Sequence, residues 1–297
     1  MASVHVALST HRTLHLRRTL LGVSVQSRPA TSVIVSVDGD PDDVRRVVRD
    51  ASAEFGLRIV LTMRPHQGVC RSAQVRNNAV RALRDPRAGV ITRPDDIVVF
   101  YDGDCCPAPD ALEQHSRLHE ASGSRGVVLG HWIPLTPEQT EAFDEAALRA
   151  GNWPAKVDPK LLSKLAHREK RYRRQMFLKR IWLEKAHKPK LASGNFSVRL
   201  GDYMSVNGFD EGYEGYGQED DDLGRRLYDA GVRPIVGVRQ CLVFHQWHVS
   251  RAPTDWHNAP GVVRFNERYR VRSELGMDHP KNQPASSVEV FEPVPVA

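Results

Sequence analysis

The sequence predicts an α/β fold: a doubly wound, mostly parallel sheet in a single domain, with one basic helical insert. Three observations lead there. Short β-rich runs alternate with helix-period runs through the first third of the chain, and strands alternating with helices imply parallel crossovers. The strand-like runs end in acidic and turn residues. A strongly basic stretch then separates this half from the remainder.

"VHVAL", Val4 to Leu8, alternates and is β-rich. "TLHLRRTLLGVSV" follows, with Leu14, Leu20, Leu21 and Val25 at helical spacing. The first acidic residue is Asp38, and the Arg- and Ser-rich stretch before it has the composition of an organelle transit peptide. The folded reading is preferred because the βα rhythm continues directly after it. "TSVIVSVDGD" reads as a buried strand, and "PDDVRRVVRDASAEFG" as a helix opened by Pro41 and closed at Gly56. "LRIVLTM" is a third strand, "CRSAQVRNNAVRALRD" a helix and "DDIVVFYDGD" a fourth strand. Open α/β sheets bind ligands beyond the carboxyl ends of their strands. Asp38, Asp40, Asp102 and Asp104 mark that edge.

Whole-chain properties agree with a globular protein. Of 297 residues, 40% are hydrophobic and 26% charged, enough for a core. The net charge of +6 points to an anionic partner, whether nucleotide, nucleic acid or membrane surface. Cys70, Cys105, Cys106 and Cys241 are too few and irregular for a disulfide scaffold or zinc site, and read as reduced thiols of a cytoplasmic protein. No apolar run approaches the roughly 18 residues of a membrane span.

Two clusters carry chemistry. Asp102-Gly103-Asp104 ends the fourth strand; a turn at the glycine can aim both carboxylates at one ligand, and their hard oxygens suit Mg²⁺ or Mn²⁺. The competing reading is a polar turn. "GYGQEDDDLGRRL", Gly215 to Leu227, sets four adjacent carboxylates, Glu219 to Asp222, ahead of Arg225 and Arg226. Further on, "CLVFHQWHVSR" places His245 and His248 three residues apart, able to share one face.

These segments resemble the GT-A fold glycosyltransferases, a Rossmann-like group, within the large family 2. "VALSTHR", "VIVSVDGD", "HQGVCRSAQVRNNAV" and "VVFYDGDCCPAPDAL" match the donor half. "LASGNFSVRLGDYMSVNGFDEGYEGYGQEDDDLGRRLYDAG" is similar to the acceptor-side block of β-1,4-galactosyltransferases and bacterial chondroitin-type polymerases. The resemblance, over roughly residues 3–135 and 191–250, implies a GT-A domain over residues 1–250, with a nucleotide-binding half to about 130 and an acceptor half from 131; residues 251–297 are left as a C-terminal extension whose composition reads as partly disordered. It implies that Ser9 and the loop to Arg12 line the base and ribose, that Asp38 reads the uracil, and that Arg76 reaches the base or diphosphate. Asp102 then contacts ribose, and Asn195 and Gly217 belong to the same nucleotide-sugar site. Asp104 and His248 hold Mn²⁺ or Mg²⁺; His245 stands where relatives carry a methionine ligand, and is either a third ligand or a buried, hydrogen-bonded histidine.

The acidic run then opens a helix, whose N-terminus offsets part of the repulsion. Asp220 is the implied general base, its pKa raised by like charges, and Glu219 beside it binds a sugar hydroxyl. For Asp221 and Asp222, capping and ion pairing with Arg225 and Arg226 is the preferred role. The implied reaction is inverting, metal-dependent transfer from a UDP-sugar to an acceptor hydroxyl. Two alternatives stay open: the same transfer onto a modified base in DNA or another polyanion, and a non-catalytic sugar-nucleotide or polyanion binder. Val37 and the Asn78-Ala79 pair depart from the family pattern.

The insert over 155–190 has no counterpart in that resemblance. It holds 13 Lys and Arg against three Asp and Glu, so its +10 leaves the rest of the chain at −4. Leu161, Leu165, Tyr172, Met176 and Leu183 fall near one helical face, with Phe177 and Trp182 as further aromatics. It is a solvated helix packed on the core, a peripheral contact with anionic lipid, or a holder of an anionic acceptor such as a glycan or nucleic acid. The Pro-rich end, "HPKNQPASSVEVFEPVPVA", reads as extended or disordered.

Overall fold

A computed structural model of the chain describes residues 2–39, 42–123, 125–154, 159–249, 255, 258–267, 269–281 and 286–293; Asp40 and Pro41 lie outside them. The donor half runs β1 (Val4–Thr10), α1 (Leu16–Ser24), β2 (Ser32–Asp38), α2 (Asp42–Phe55), β3 (Ile59–Arg64), α3 (Ser72–Arg84) and β4 (Ile97–Asp102). Then come β5 (Cys105–Pro107), α4 (Ala111–Ser122), β6 (Gly126–Leu129), β7 (His131–Pro134), α5 (Pro137–Ala142), α6 (Glu145–Arg149) and α7 (Pro159–Arg180). The remainder is β8 (Asn195–Arg199), α8 (Leu200–Ser205), α9 (Glu219–Asp229), β9 (Arg233–Val236), β10 (Leu242–His245), α10 (Pro260–Asn266) and β11 (Glu289–Phe291).

The main sheet has eight strands in the order β11-β3-β2-β1-β4-β8-β6-β9, and a smaller one runs β5-β10-β7. β3, β2, β1 and β4 are mutually parallel, as the βα rhythm requires. Their alternation sorts the core: Val4, Val6 and Leu8 pack with Leu16, Leu20, Val44 and Val48 on one face, and Ala7 packs with Ala79, Val80 and Phe100 on the other. Strands covered on both faces read as near-continuous apolar runs. β8 reverses direction beside β4, pairing Tyr101 with Asn195, and so brings the second half of the chain to the carboxyl edge of the first.

Three expectations change. α1 begins at Leu16, so Leu14 sits in the preceding loop and is exposed, as Val25 is in part; Leu16, Leu20, Leu21 and Val23 are the buried set. The C-terminal stretch is not wholly irregular: β11 pairs antiparallel with β3, fixed by Arg45 to Glu289 at 3.0 Å and Arg58 to Glu292 at 3.0 Å. In α7, Leu165 and Tyr172 are buried and Met176 is partly so, but Leu183 lies past the helix end and is exposed. The Leu161 side chain is outside the described residues. Among the described residues no helix is long and apolar enough to cross a membrane, and the four cysteines are unpaired.

α9 is tied down at Asp222. One carboxylate oxygen accepts from Arg225 Nε at 3.0 Å and the other from Arg226 Nε at 2.7 Å. Arg226, only 1% exposed, also donates to the carbonyls of Val206 and Gly208 at 2.9 and 2.8 Å. Asp222→Ala strands that buried cation and should lower stability by about 3–5 kcal/mol in urea unfolding. A change below about 1 kcal/mol would show that the pair adds little.

Candidate active site

The carboxyl ends of β1 and β4 lie side by side, Ser9 opposite Asp102. Ser9 Oγ donates to Asp102 Oδ1 at 2.9 Å. The turn after β4 needs Gly103, because a Cβ there would lie 2.7 Å from Thr10 Oγ1. Arg76, from α3, donates to the same Asp102 oxygen at 2.8 Å and to Glu219 Oε1 at 3.4 Å. Ser72 Oγ donates to that Glu219 oxygen at 2.8 Å. A continuous chain of polar contacts therefore joins Ser9, Asp102, Arg76, Glu219 and Ser72 across both halves of the protein.

This alters several expected roles. Arg76 is 5% exposed, and its guanidinium is committed to Asp102 and Glu219 rather than extended toward a ligand. Burial alone would ease its proton off, but the carboxylates of Asp102, Glu219 and Asp220 hold it above its usual pKa. Asn195 is fully buried, donating to the carbonyls of His131 and Cys241 at 2.8 and 2.7 Å while its Oδ1 meets His115 Nε2 at 3.1 Å. It braces the site from behind. Asp38 stands at the β2 end, between Arg64 at 3.0 Å and His66 at 3.2 Å. Arg12 reaches 3.2 Å from His248 Nδ1, on the side of the histidines.

The expected metal ligands come together. Asp104 Oδ2 is 3.0 Å from His248 Nε2 and Oδ1 is 3.7 Å from His245 Nε2, and the imidazole centroids are 5.2 Å apart. Asp104 Oδ1 is buried and accepts no hydrogen bond. His248 Nδ1 lies 3.0 Å from the Val249 carbonyl and 3.2 Å from Arg12 Nη2. In the tautomer that donates to Val249, Nε2 turns a lone pair toward the carboxylate, an arrangement that suits a cation, and a backbone carbonyl orienting the far nitrogen is a usual support for a metal-bound imidazole; in the tautomer that accepts from Arg12, Nε2 donates to Asp104. One carboxylate and two imidazoles suit Mn²⁺ better than Mg²⁺, which prefers an all-oxygen shell. Asp102 and Cys105 also lie near Asp104, but a thiol does not match either ion.

The loop into α9 coils through positive φ at Gly215 (80°), Gly217 (100°) and Gln218 (71°). Gly217 thus serves the backbone path, and α10 packs so closely on it that a Cβ on Gly261 would sit 2.0 Å from its carbonyl. The coil delivers Asp220 to a cleft of about 450 Å³ that is also lined by Trp132, Lys164, Arg168, Tyr172 and Lys190. Burial, then the charges of Glu219 and Asp221, push the Asp220 carboxyl up to about 7, against the pull of the Asp221 N–H and Arg76. Asp221 pairs with Lys190 at 2.5 Å, not with Arg225. Arg225 is held by Asp222 and by the rings of Phe265 and Tyr269, at 4.1 and 4.0 Å. Ser72, Trp132, Lys164, Arg168 and Lys190 were not singled out from sequence. The four-residue spacing of Lys164, Arg168 and Tyr172 was the one available signal, since it places them on one helical face.

The chain matches the model described as glycosyltransferase like family 2 over residues 4–129 and that described as N-terminal domain of galactosyltransferase over 178–258. The chain belongs to the family-2-like GT-A glycosyltransferases. It is 29% identical over 235 residues to the uncharacterized glycosyltransferase YfnE of Bacillus subtilis, covering 70% of this chain and 56% of that protein. It is 30% identical over 212 residues to validoxylamine A glucosyltransferase of Streptomyces hygroscopicus subsp. jinggangensis, covering 67% of this chain and 44% of that one. The glycosyltransferase chain thus spans about half the length of these relatives. Its fold is similar to that of S. aureus TarS 1–349 (TM-score 0.53, 14% identity, 82% of this chain and 60% of that chain). It is also similar to GalNAc-T7 with UDP, GalNAc and Mn²⁺ (TM-score 0.56, 12% identity, 89% and 47%).

Mn²⁺ titrated by calorimetry should bind the wild type. Asp104→Asn and His248→Ala should each weaken it by about 10-fold or more, given that even supporting residues of metal sites cost 10–100-fold. His245→Ala should do the same; unchanged affinity would leave His245 outside the ligand set.

Proposed function

We propose that this glycosyltransferase moves a sugar from a UDP-sugar to an acceptor hydroxyl with inversion, and that Asp220 is the general base. The carrying observation is the position of Asp220. It lines the cleft on one side, interacts electrostatically with Arg76 on the other, and holds its proton to about pH 7. A base is most effective with a pKa near the working pH. The UDP and Mn²⁺ of GalNAc-T7, and the UDP-GlcNAc of another TarS 1–349 structure of the same fold, support the choice of donor and ion.

In this reading the donor nucleotide lies along the ends of β1, β2 and β4, by Ser9, Asp38 and Asp102. Asp104, His248 and His245 would hold Mn²⁺, which when bound neutralises charge on a departing diphosphate. Arg76 positions Asp102 and Glu219 without itself touching substrate. Asp220 accepts the proton of the acceptor hydroxyl. The oxygen's electron pair bonds the anomeric carbon from the side opposite the diphosphate, the old C–O bond breaks, and UDP leaves with its electrons. A single displacement of this kind inverts the centre.

The tip of the insert supports a second contact. Phe177, Ile181, Trp182 and Leu183 are exposed, Trp182 by 94%, beside Arg174, Arg180 and Lys185. Apolar rings among cations complement an anionic lipid surface. Co-sedimentation with phosphatidylglycerol vesicles should fall in a Trp182→Ala/Leu183→Ala variant while turnover of a soluble acceptor holds; unaltered sedimentation removes this contact.

Asp220→Asn should bind UDP normally by calorimetry yet lose about 10²-fold or more in rate. In the wild type, rate should fall as pH drops below about 7 and Asp220 becomes protonated. Its ionisation is opposed by Glu219 and Asp221 and favoured by Arg76 and Lys190. Stability has the opposite sign. The folded pKa lies above the unfolded one, so ionised Asp220 destabilises the fold, increasingly as pH rises from about 4 to about 7. Asp220→Asn should therefore raise Tm at pH 8 and have little effect near pH 4. Near-normal turnover in this variant would transfer the role to another group or favour a non-catalytic binder.

A further inference from the structure

Building on the transfer reading, we propose that the acceptor is an acidic sugar, and that Lys164 and Arg168 receive its phosphate or carboxylate while its hydroxyl meets Asp220. Both cations line the same cleft as Asp220. They lie four residues apart on α7, with Tyr172 four further on, so the three share a helical face. Tyr172 is buried and anchors that face. Among the described residues neither Lys164 nor Arg168 makes an ion pair, whereas Arg173 pairs with Glu169 at 2.7 Å and Lys190 with Asp221 at 2.5 Å. The cleft is therefore polarised, with a carboxylate base on the α9 wall and uncompensated positive charge on the α7 wall.

The positive field of α7 is felt inside the cleft. His131, on its wall, is held down to about 3 by burial and then by Arg168 and Arg171. Lys164 is exposed and Arg168 half-buried at the edge of the cleft, so these like charges meet little desolvation but repel each other, which an anionic ligand offsets. A neutral sugar would have no use for them. Trp132, also on the wall, offers the flat apolar surface against which a sugar ring packs. The size of the cleft suits one sugar unit with its charged substituent.

The test is ligand-observed NMR with UDP and Mn²⁺ present, using glucose, glucose 6-phosphate and glucuronate as probes, so the two charged probes separate phosphate from carboxylate recognition. At least one charged sugar should bind, and glucose about 10-fold more weakly or less, the worth of one charge-assisted contact. Lys164→Gln/Arg168→Gln, which keeps the side-chain stems, should weaken the charged probe about 10-fold or more and flatten its salt dependence, with UDP affinity unchanged. Arg174→Gln, not among the residues lining the cleft, should change nothing. Equal binding of glucose, no binding of either charged sugar, or full binding by the double variant overturns the proposal. Asp220→Asn should retain probe binding. Loss of the transfer reading would instead show as undiminished turnover in that variant, so the two failures are distinguishable.

Discussion

One buried guanidinium holds the site together. Arg76 reaches from α3 to Asp102 at the end of β4 and to Glu219 at the start of α9, with the ring of Phe209 beneath it at 5.5 Å. A buried charge that loses a partner is strongly destabilising, so neither carboxylate can move away without stranding it. The turn after β4 and the start of α9 are thereby locked in one relative position. The sheet provides the same lock on a larger scale, since β8 runs antiparallel against β4 and carries Asn195 directly behind the ligand edge.

Four adjacent carboxylates would repel one another on an open helix surface; here each has a separate environment. Glu219 accepts from Arg76 and Ser72, Asp221 pairs with Lys190, and Asp222 is clasped by Arg225 and Arg226. Asp220 alone has no cation in contact, and it is the one whose proton is held to about pH 7. Neutralising three acids around a fourth leaves the unfavourable charge on Asp220 without unfolding the helix that carries it, and Asp220 is the group that the proposed transfer uses as its base.

The insert has three faces with different work. Leu165 buries it against the core, Tyr172 is buried where that side meets the cleft, and Glu169 ties it to Arg173 and Arg239. Lys164 and Arg168 turn into the cleft, and Phe177 and Trp182 remain outside. Its charge of +10 is thus not one uniform patch. The packed-helix and anionic-acceptor readings of the segment are compatible, because they concern different sides of one helix.

The sequence by itself determined the βα series and the acidic carboxyl edge. Strand alternation, helix period and short-range motifs are local properties, legible wherever neighbouring residues dictate the outcome. Through the family resemblance it also set Asp104 with His248, with His245 open between a ligand and a buried histidine, and separated Asp220 from Asp222. Tertiary structure alone decided that Arg76 is an internal strut and that Asn195 is a brace. It also gave Asp221 to Lys190, and faced Lys164 and Arg168 toward Asp220. β11 joined the sheet edge because Glu289 found Arg45, far away in sequence. Each of these depends on which side chains meet across long stretches of chain, and the pairing of a buried charge is set by the partner that folding brings to it, which no local pattern encodes.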